Sequence, residues 1–128
     1  MAFGINRGKT TGFASPAQGY EDNTIDLNEI LIKNPSSTYL FRLESPDMSE
    51  LGLPKGALLI VDRSKKPLFN QLALIQYEGQ FLCRLMVNHN GRPVFTNGIS
   101  EITPVADETE IIGTVTSSIQ VYDHDFSH

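Results

Sequence analysis

Few residues of this chain combine a reactive type with a useful spacing. Cys83 is the single cysteine, so an internal disulfide and a multi-cysteine metal site are both excluded. It falls inside an apolar run, where cysteine packs as a small hydrophobe. Its one charged neighbour, Arg84, points to the opposite face of a strand and leaves nothing to activate the thiol. His89 lies in a turn, and His124 and His128 lie in an acidic tail. The four-residue spacing of those two suits a metal only on a helix, so no metal site is expected. No glycine-rich phosphate loop is present, and no cofactor is expected. Each enzyme template therefore fails on the supply of residues.

A chain of 128 residues suits one domain. Hydrophobic residues are 40% and charged residues 20%, which allows a packed core. The net charge of −5 argues against a protein that coats nucleic acid, which needs a basic surface. The charge is uneven: Glu101 to His128 holds six acids and no lysine or arginine. No apolar run approaches the roughly 20 residues of a membrane span, and the N-terminal residues lack the apolar stretch of a signal peptide. A cytoplasmic location is the expectation.

The elements that must position these groups follow from periodicity. Residues 1–23, with five glycines or prolines and little apolar pattern, read as a flexible arm, and 24–128 as the folded domain. A short helix is expected near Asp26–Lys33: Asp26 and Glu29 form a capping-box-like pair, Asn34 suits a left-handed C-terminal position, and Pro35 prevents continuation. From Thr38 the period changes to two, with Tyr39, Phe41 and Leu43 on the more apolar face. Leu53-Pro54-Lys55-Gly56 reads as a tight turn before a buried strand, Ala57 to Asp62. Two hairpins follow, turning at Glu78-Gly79 and Asn90-Gly91. A last strand spans about Glu110 to Tyr122, with Gly113 at a bulge or bend. The fold expected is mainly β, with short coiled strands and one or two short helices.

Three segments together resemble the LexA-like serine peptidases, and among them the UmuD-like proteins. Gly12-Phe13-Ala14-Ser15-Pro16-Ala17, continuing to Ile25-Asp26-Leu27-Asn28 and to Leu31 through Tyr39, is similar to the stretch after the UmuD-like cleavage site. Gly52-Leu53-Pro54-Lys55-Gly56-Ala57 through Asp62 is similar to the segment after that family's nucleophile. Glu78-Gly79-Gln80-Phe81 is similar to the hairpin that leads to its catalytic lysine. The likeness spans about Gly12 to Tyr122 and is weakest in the C-terminal third.

The resemblance implies a LexA/UmuD-type peptidase domain, but this sequence departs from the family at the chemical groups. The family cuts its own arm with a serine activated by a neutral, desolvated lysine. Asp47 stands at the serine position and Arg84 at the lysine position. An arginine stays protonated at physiological pH and cannot act as the base. The scissile bond corresponds to Thr11–Gly12, with threonine where the family has a small residue or cysteine. An arm of eleven residues resembles the processed form. Asn70-Gln71 replaces the family's Gly-Asp before the hairpin strand. Ser45 and Ser49 each lie two residues from Asp47, about 6–7 Å in extended chain, whereas a base must lie within about 3 Å of its proton.

The function implied is that of a catalytically inactive, UmuD-like binding or regulatory subunit in the bacterial SOS response and translesion DNA synthesis. Its implied partners are a second copy of itself, a translesion polymerase subunit and the RecA filament. Direct sequence-specific nucleic-acid binding and membrane association are not expected. The alternative is an active self-cleaving serine peptidase with a displaced nucleophile; a third reading is a β domain kept for an unrelated interaction. Two structural expectations accompany these. Asp47 and Arg84 should form an ion pair, bidentate if the geometry allows. The last strand, with apolar Ile111, Val115, Ile119 and Val121, should lie at an edge and pair with a second copy.

Overall fold

The computed structural model describes residues 24–102 and 109–123. The arm at 1–23, the Thr11–Gly12 bond, His124 and His128 lie outside the described residues. Two units are distinguished, Met1–Ile30 and Leu31–His128.

A short helix, α1, spans Leu27–Leu31. Asp26 caps it: its carboxylate accepts the Asn28 backbone N–H at 3.0 Å, and its carbonyl accepts those of Glu29 and Ile30. The helix is shorter than the expected Asp26–Lys33. Asn34 does not take the left-handed position, having φ −129°. A 3-10 turn at Pro35–Ser37 follows at once, with Pro35 at its first position, where a missing N–H costs nothing.

The second unit is built on one sheet of seven strands: β1 (Thr38–Arg42), β2 (Leu58–Asp62), β3 (Gln71–Tyr77), β4 (Gln80–His89), β5 (Arg92–Thr96), β6 (Glu101–Ile102) and β7 (Thr109–Ile119). Their spatial order is β1-β2-β7-β3-β4-β5-β6, and every neighbouring pair is antiparallel. The mainly-β expectation is met.

Both hairpin turns form as their residues require. Glu78 and Gly79 have φ of 51° and 80°, and Asn90 and Gly91 have 56° and 85°. Two successive left-handed residues match the twist of the flanking strands, which is why X-Gly stands there.

The last strand overturns its expected place. β7 is not an edge: it lies between β2 and β3 and pairs with both. Two of its apolar residues serve the monomer, Val115 in a core and Ile112 packed against it, while Ile111 is exposed. The edges among the described strands are β1 and β6. The bulge expected at Gly113 is present: Leu74 pairs with Gly113 but Ile75 pairs with Ile111, so Ile112 is the extra residue. Glycine is needed there for space, since a Cβ would lie 2.7 Å from the Asp62 carbonyl oxygen.

Strand β3 is buried on both faces, and this divides the core. Leu74 joins one cluster with Leu43, Met48, Leu59, Val61 and Cys83. Its neighbours Ala73 and Ile75 point the other way, into a second cluster with Met86 and Phe95. The alternation expected in β1 holds only at its inner end: Leu43, just beyond it, is buried, whereas Tyr39 and Leu40 are exposed. An edge strand running past the core leaves its outer residues without a layer to cover them.

Candidate functional site

Asp47 stands on an excursion between β1 and β2 whose base is closed by backbone. Leu43 N–H donates to Ala57 carbonyl at 2.9 Å, and Gly56 N–H donates to Leu43 carbonyl at 2.7 Å. Met48 is the plug: it is fully buried, and its carbonyl accepts the N–H groups of Leu51 and Leu53. The residue before it is thereby held at the protein's edge. Asp47 N–H donates to Ser45 Oγ at 3.2 Å, which fixes the backbone that presents the carboxylate.

Arg84 comes from the middle of β4, opposite Ala73 of β3. Its side chain is only 10% exposed, against 31% for Asp47. Arg84 Nη2 donates to Asp47 Oδ2 at 2.9 Å, while Nη1 donates to the Cys83 carbonyl at 2.8 Å. The expected ion pair is present. It is not bidentate, because one arm of the guanidinium is taken by the backbone.

The other chemical candidates are not drawn into this site. Ser49 Oγ donates to Pro46 carbonyl at 2.6 Å, and Ser45 Oγ accepts from Asp47, so both serines have backbone partners. Lys65 and Lys66 are exposed. Cys83 is buried, and burial pushes its thiol up to about 12, with the Arg84 charge pulling the other way. A thiol so raised supplies almost no thiolate near pH 7. His89 is exposed at the end of β4. Among the described residues, no group of three or more His, Cys, Asp or Glu is placed to hold a metal ion. Among the same residues no helix is long and apolar enough to cross a membrane.

A second polar centre escapes the sequence reading. Asp62, at the end of β2, is 3% exposed. Its Oδ1 accepts from Ser64 N–H at 2.9 Å, Ser64 Oγ at 2.6 Å and Ser37 Oγ at 2.9 Å, and its Oδ2 accepts from Asn34 Nδ2 at 2.7 Å. These bonds, led by those from Ser64 and Asn34, hold the carboxyl well below the usual range, against the opposing effect of burial. Asn34, read as a helix stop, is in fact a donor across 28 residues. Polar residues at both ends of that span are the only signal, and they read equally well as turn residues.

The sheet, the excursion and the paired positions can now be set beside known proteins. The Peptidase S24-like family profile matches residues 5–116. This chain belongs to that family. Protein SamA of Salmonella typhimurium is 30% identical over 108 residues, covering 84% of this chain and 77% of SamA. Protein MucA of Escherichia coli is 30% identical over 119 residues, covering 86% of this chain and 78% of MucA. Protein ImpA of Shigella flexneri is 33% identical over 76 residues, 59% of this chain and 52% of ImpA, so that match spans about half of the relative's length. These relatives are of the UmuD-like kind, in agreement with the LexA/UmuD resemblance.

Proposed function

We propose that this chain is a UmuD-like binding and regulatory subunit in which self-cleavage has been lost. The observation that carries this reading is the Asp47–Arg84 contact at 2.9 Å. In the family resemblance these two positions hold the nucleophile and its base. Here they hold an acid and a guanidinium that satisfy each other. A carboxylate paired in this way has no proton to give up, and a guanidinium has no free electron pair to accept one. The relatives are UmuD-like proteins of SOS mutagenesis, which supports a role beside a translesion polymerase subunit and the RecA filament.

The homodimer remains part of the proposal and rests on the family resemblance, since β7 no longer offers an edge. The alternative, a peptidase with a displaced serine, requires Ser45 or Ser49 to meet a neutral base. Neither serine has a lysine among its hydrogen-bond partners.

A rescue series tests the reading. Asp47→Ser alone leaves the chain uncut, because Arg84 cannot take the proton. Asp47→Ser combined with Arg84→Lys gives slow cleavage at Thr11–Gly12, read by mass spectrometry at alkaline pH. Cleavage by the single Asp47→Ser variant would show that another group acts as base and would overturn the assignment of Arg84 to the base position.

A further inference from the structure

The loop between β2 and β3 concentrates positive charge on an acidic protein. Arg63, Lys65 and Lys66 are all exposed, on a chain of net charge −5. Among the described residues no carboxylate lies within 4.0 Å of any of the three. Exposed apolar residues accompany them: Leu68 is 67% exposed, Phe69 39% and, on neighbouring β7, Ile111 44%. Charge and apolar surface occupy one patch.

The loop backbone is anchored rather than loose. Asp62 Oδ1 accepts both the N–H and the hydroxyl of Ser64, Lys65 N–H donates to the Asp62 carbonyl, and Thr114 Oγ1 donates to the Lys65 carbonyl at 3.0 Å. Pro67 is buried. The cationic side chains therefore project from a fixed turn, so ordering the loop costs little when a partner binds.

Two cavities flank it. One, of about 530 Å³, is lined by Arg63 and both lysines together with Phe69, Met86 and Ile111. The other, of about 630 Å³, is lined by the same two lysines together with Leu68, Leu72 and Val115. Lys65 and Lys66 thus form a ridge between two hollows, the first mainly apolar and the second mixed, with Asn70, Gln71, Thr114 and Thr116 beside its apolar residues.

From this we infer that the Lys65–Lys66 ridge is a docking site for an acidic protein segment whose aspartates or glutamates meet the cations while an apolar side chain enters a flanking hollow. Charge complementarity identifies the occupant. A nucleic acid fits less well: it wants a long basic track and stacking aromatics, and here three cations stand beside one aromatic ring, Phe69. The inference does not depend on the Asp47–Arg84 reading, and its test uses different residues and a different readout.

The full chain is used to select ten-residue peptides from a random display library. Selected peptides are then measured by fluorescence anisotropy against the wild type and Lys65→Glu/Lys66→Glu. The expected result is enrichment of Asp or Glu beside Leu or Phe, and at least about tenfold weaker binding to the charge-reversed variant. Raising salt from about 0.1 to 0.5 M should weaken binding several-fold, and Phe69→Ser should weaken it at constant salt. Lys65→Gln/Lys66→Gln keeps the test readable if charge reversal disturbs the fold. Peptides without acidic enrichment, unchanged binding by the lysine variants, or tighter binding of a single-stranded oligonucleotide than of any peptide would each overturn the inference.

Discussion

Asp47 and Asp62 are both carboxylates drawn partly or wholly out of water beside one sheet, and they are neutralised by opposite means. Among the described residues, Asp47 meets one counter-charge, an arm of Arg84. Among the same residues Asp62 meets no counter-charge and four hydrogen bonds from neutral donors, Asn34, Ser37 and Ser64. The difference has physical consequences. A charge pair can be broken from either side, since deleting one partner strands the other, at a cost that grows with the burial of the partner left behind. A carboxylate held by neutral donors loses only one bond when one donor is removed. The first arrangement suits a position that has exchanged reactive groups for a mutually satisfied pair. The second suits a structural node, here joining the Pro35–Ser37 turn to the loop after β2.

The largest expected effect breaks the charged site asymmetrically. Asp47→Ala strands the more buried partner and should cost roughly 3–5 kcal/mol in denaturant unfolding, the usual range for an uncompensated buried charge. Arg84→Met keeps the side-chain volume and strands the carboxylate that is still 31% exposed. Solvent screening reduces that cost to about 1 kcal/mol. Equal costs for the two variants would mean that the pair is solvated on both sides.

A pH series sharpens the other half of the comparison. The Asp62 carboxyl is depressed in the folded chain, so its contribution is fully present above the unfolded value of roughly 3.9. That contribution is lost as pH falls from there toward the folded value. The stability gap between wild type and Asp62→Asn should therefore be widest near neutrality and shrink below about pH 4. A gap that stays constant down to pH 2 would show that the fold holds Asp62 no more tightly as a carboxylate than as a protonated carboxyl.

The smallest effect lies next to that node. The Arg63 guanidinium sits 5.6 Å from the Tyr39 ring centroid, on the exposed β1 edge. Arg63→Ala should cost about 0.5–1 kcal/mol, as expected for an exposed cation–π contact. Thermal melts of Arg63→Ala and of Arg63→Ala/Tyr39→Ala separate that contact from general charge effects.

The same pair of sites shows what is legible in the sequence and what is not. The X-Gly turns can be read because local conformation alone demands those residues, and the bulge at Gly113 because a glycine inside a strand marks one, although the close approach of the Asp62 carbonyl that requires it is not local. The Asp47–Arg84 contact can be read because the family resemblance implies that the two positions meet and they carry opposite charges, although the arm of Arg84 committed to the Cys83 carbonyl cannot. The Asp62 node is not legible, because Asn34 and Ser37 act across 28 and 25 residues and nothing in their neighbourhood marks that. The placement of β7 is hidden for a similar reason. Its pattern of Ile111, Ile112 and Val115 is the same whether a strand ends a sheet or enters its middle, and only the pairing with both β2 and β3 decides.

The central claim is that the peptidase frame persists without its chemistry, and an intact-mass measurement of the unmodified chain meets it most directly. The purified protein is incubated at alkaline pH, and in parallel with an activated RecA filament, and then weighed. The account predicts one species at the full 14.2 kDa in both samples. A fragment beginning at Gly12, growing with time in either sample, would contradict it.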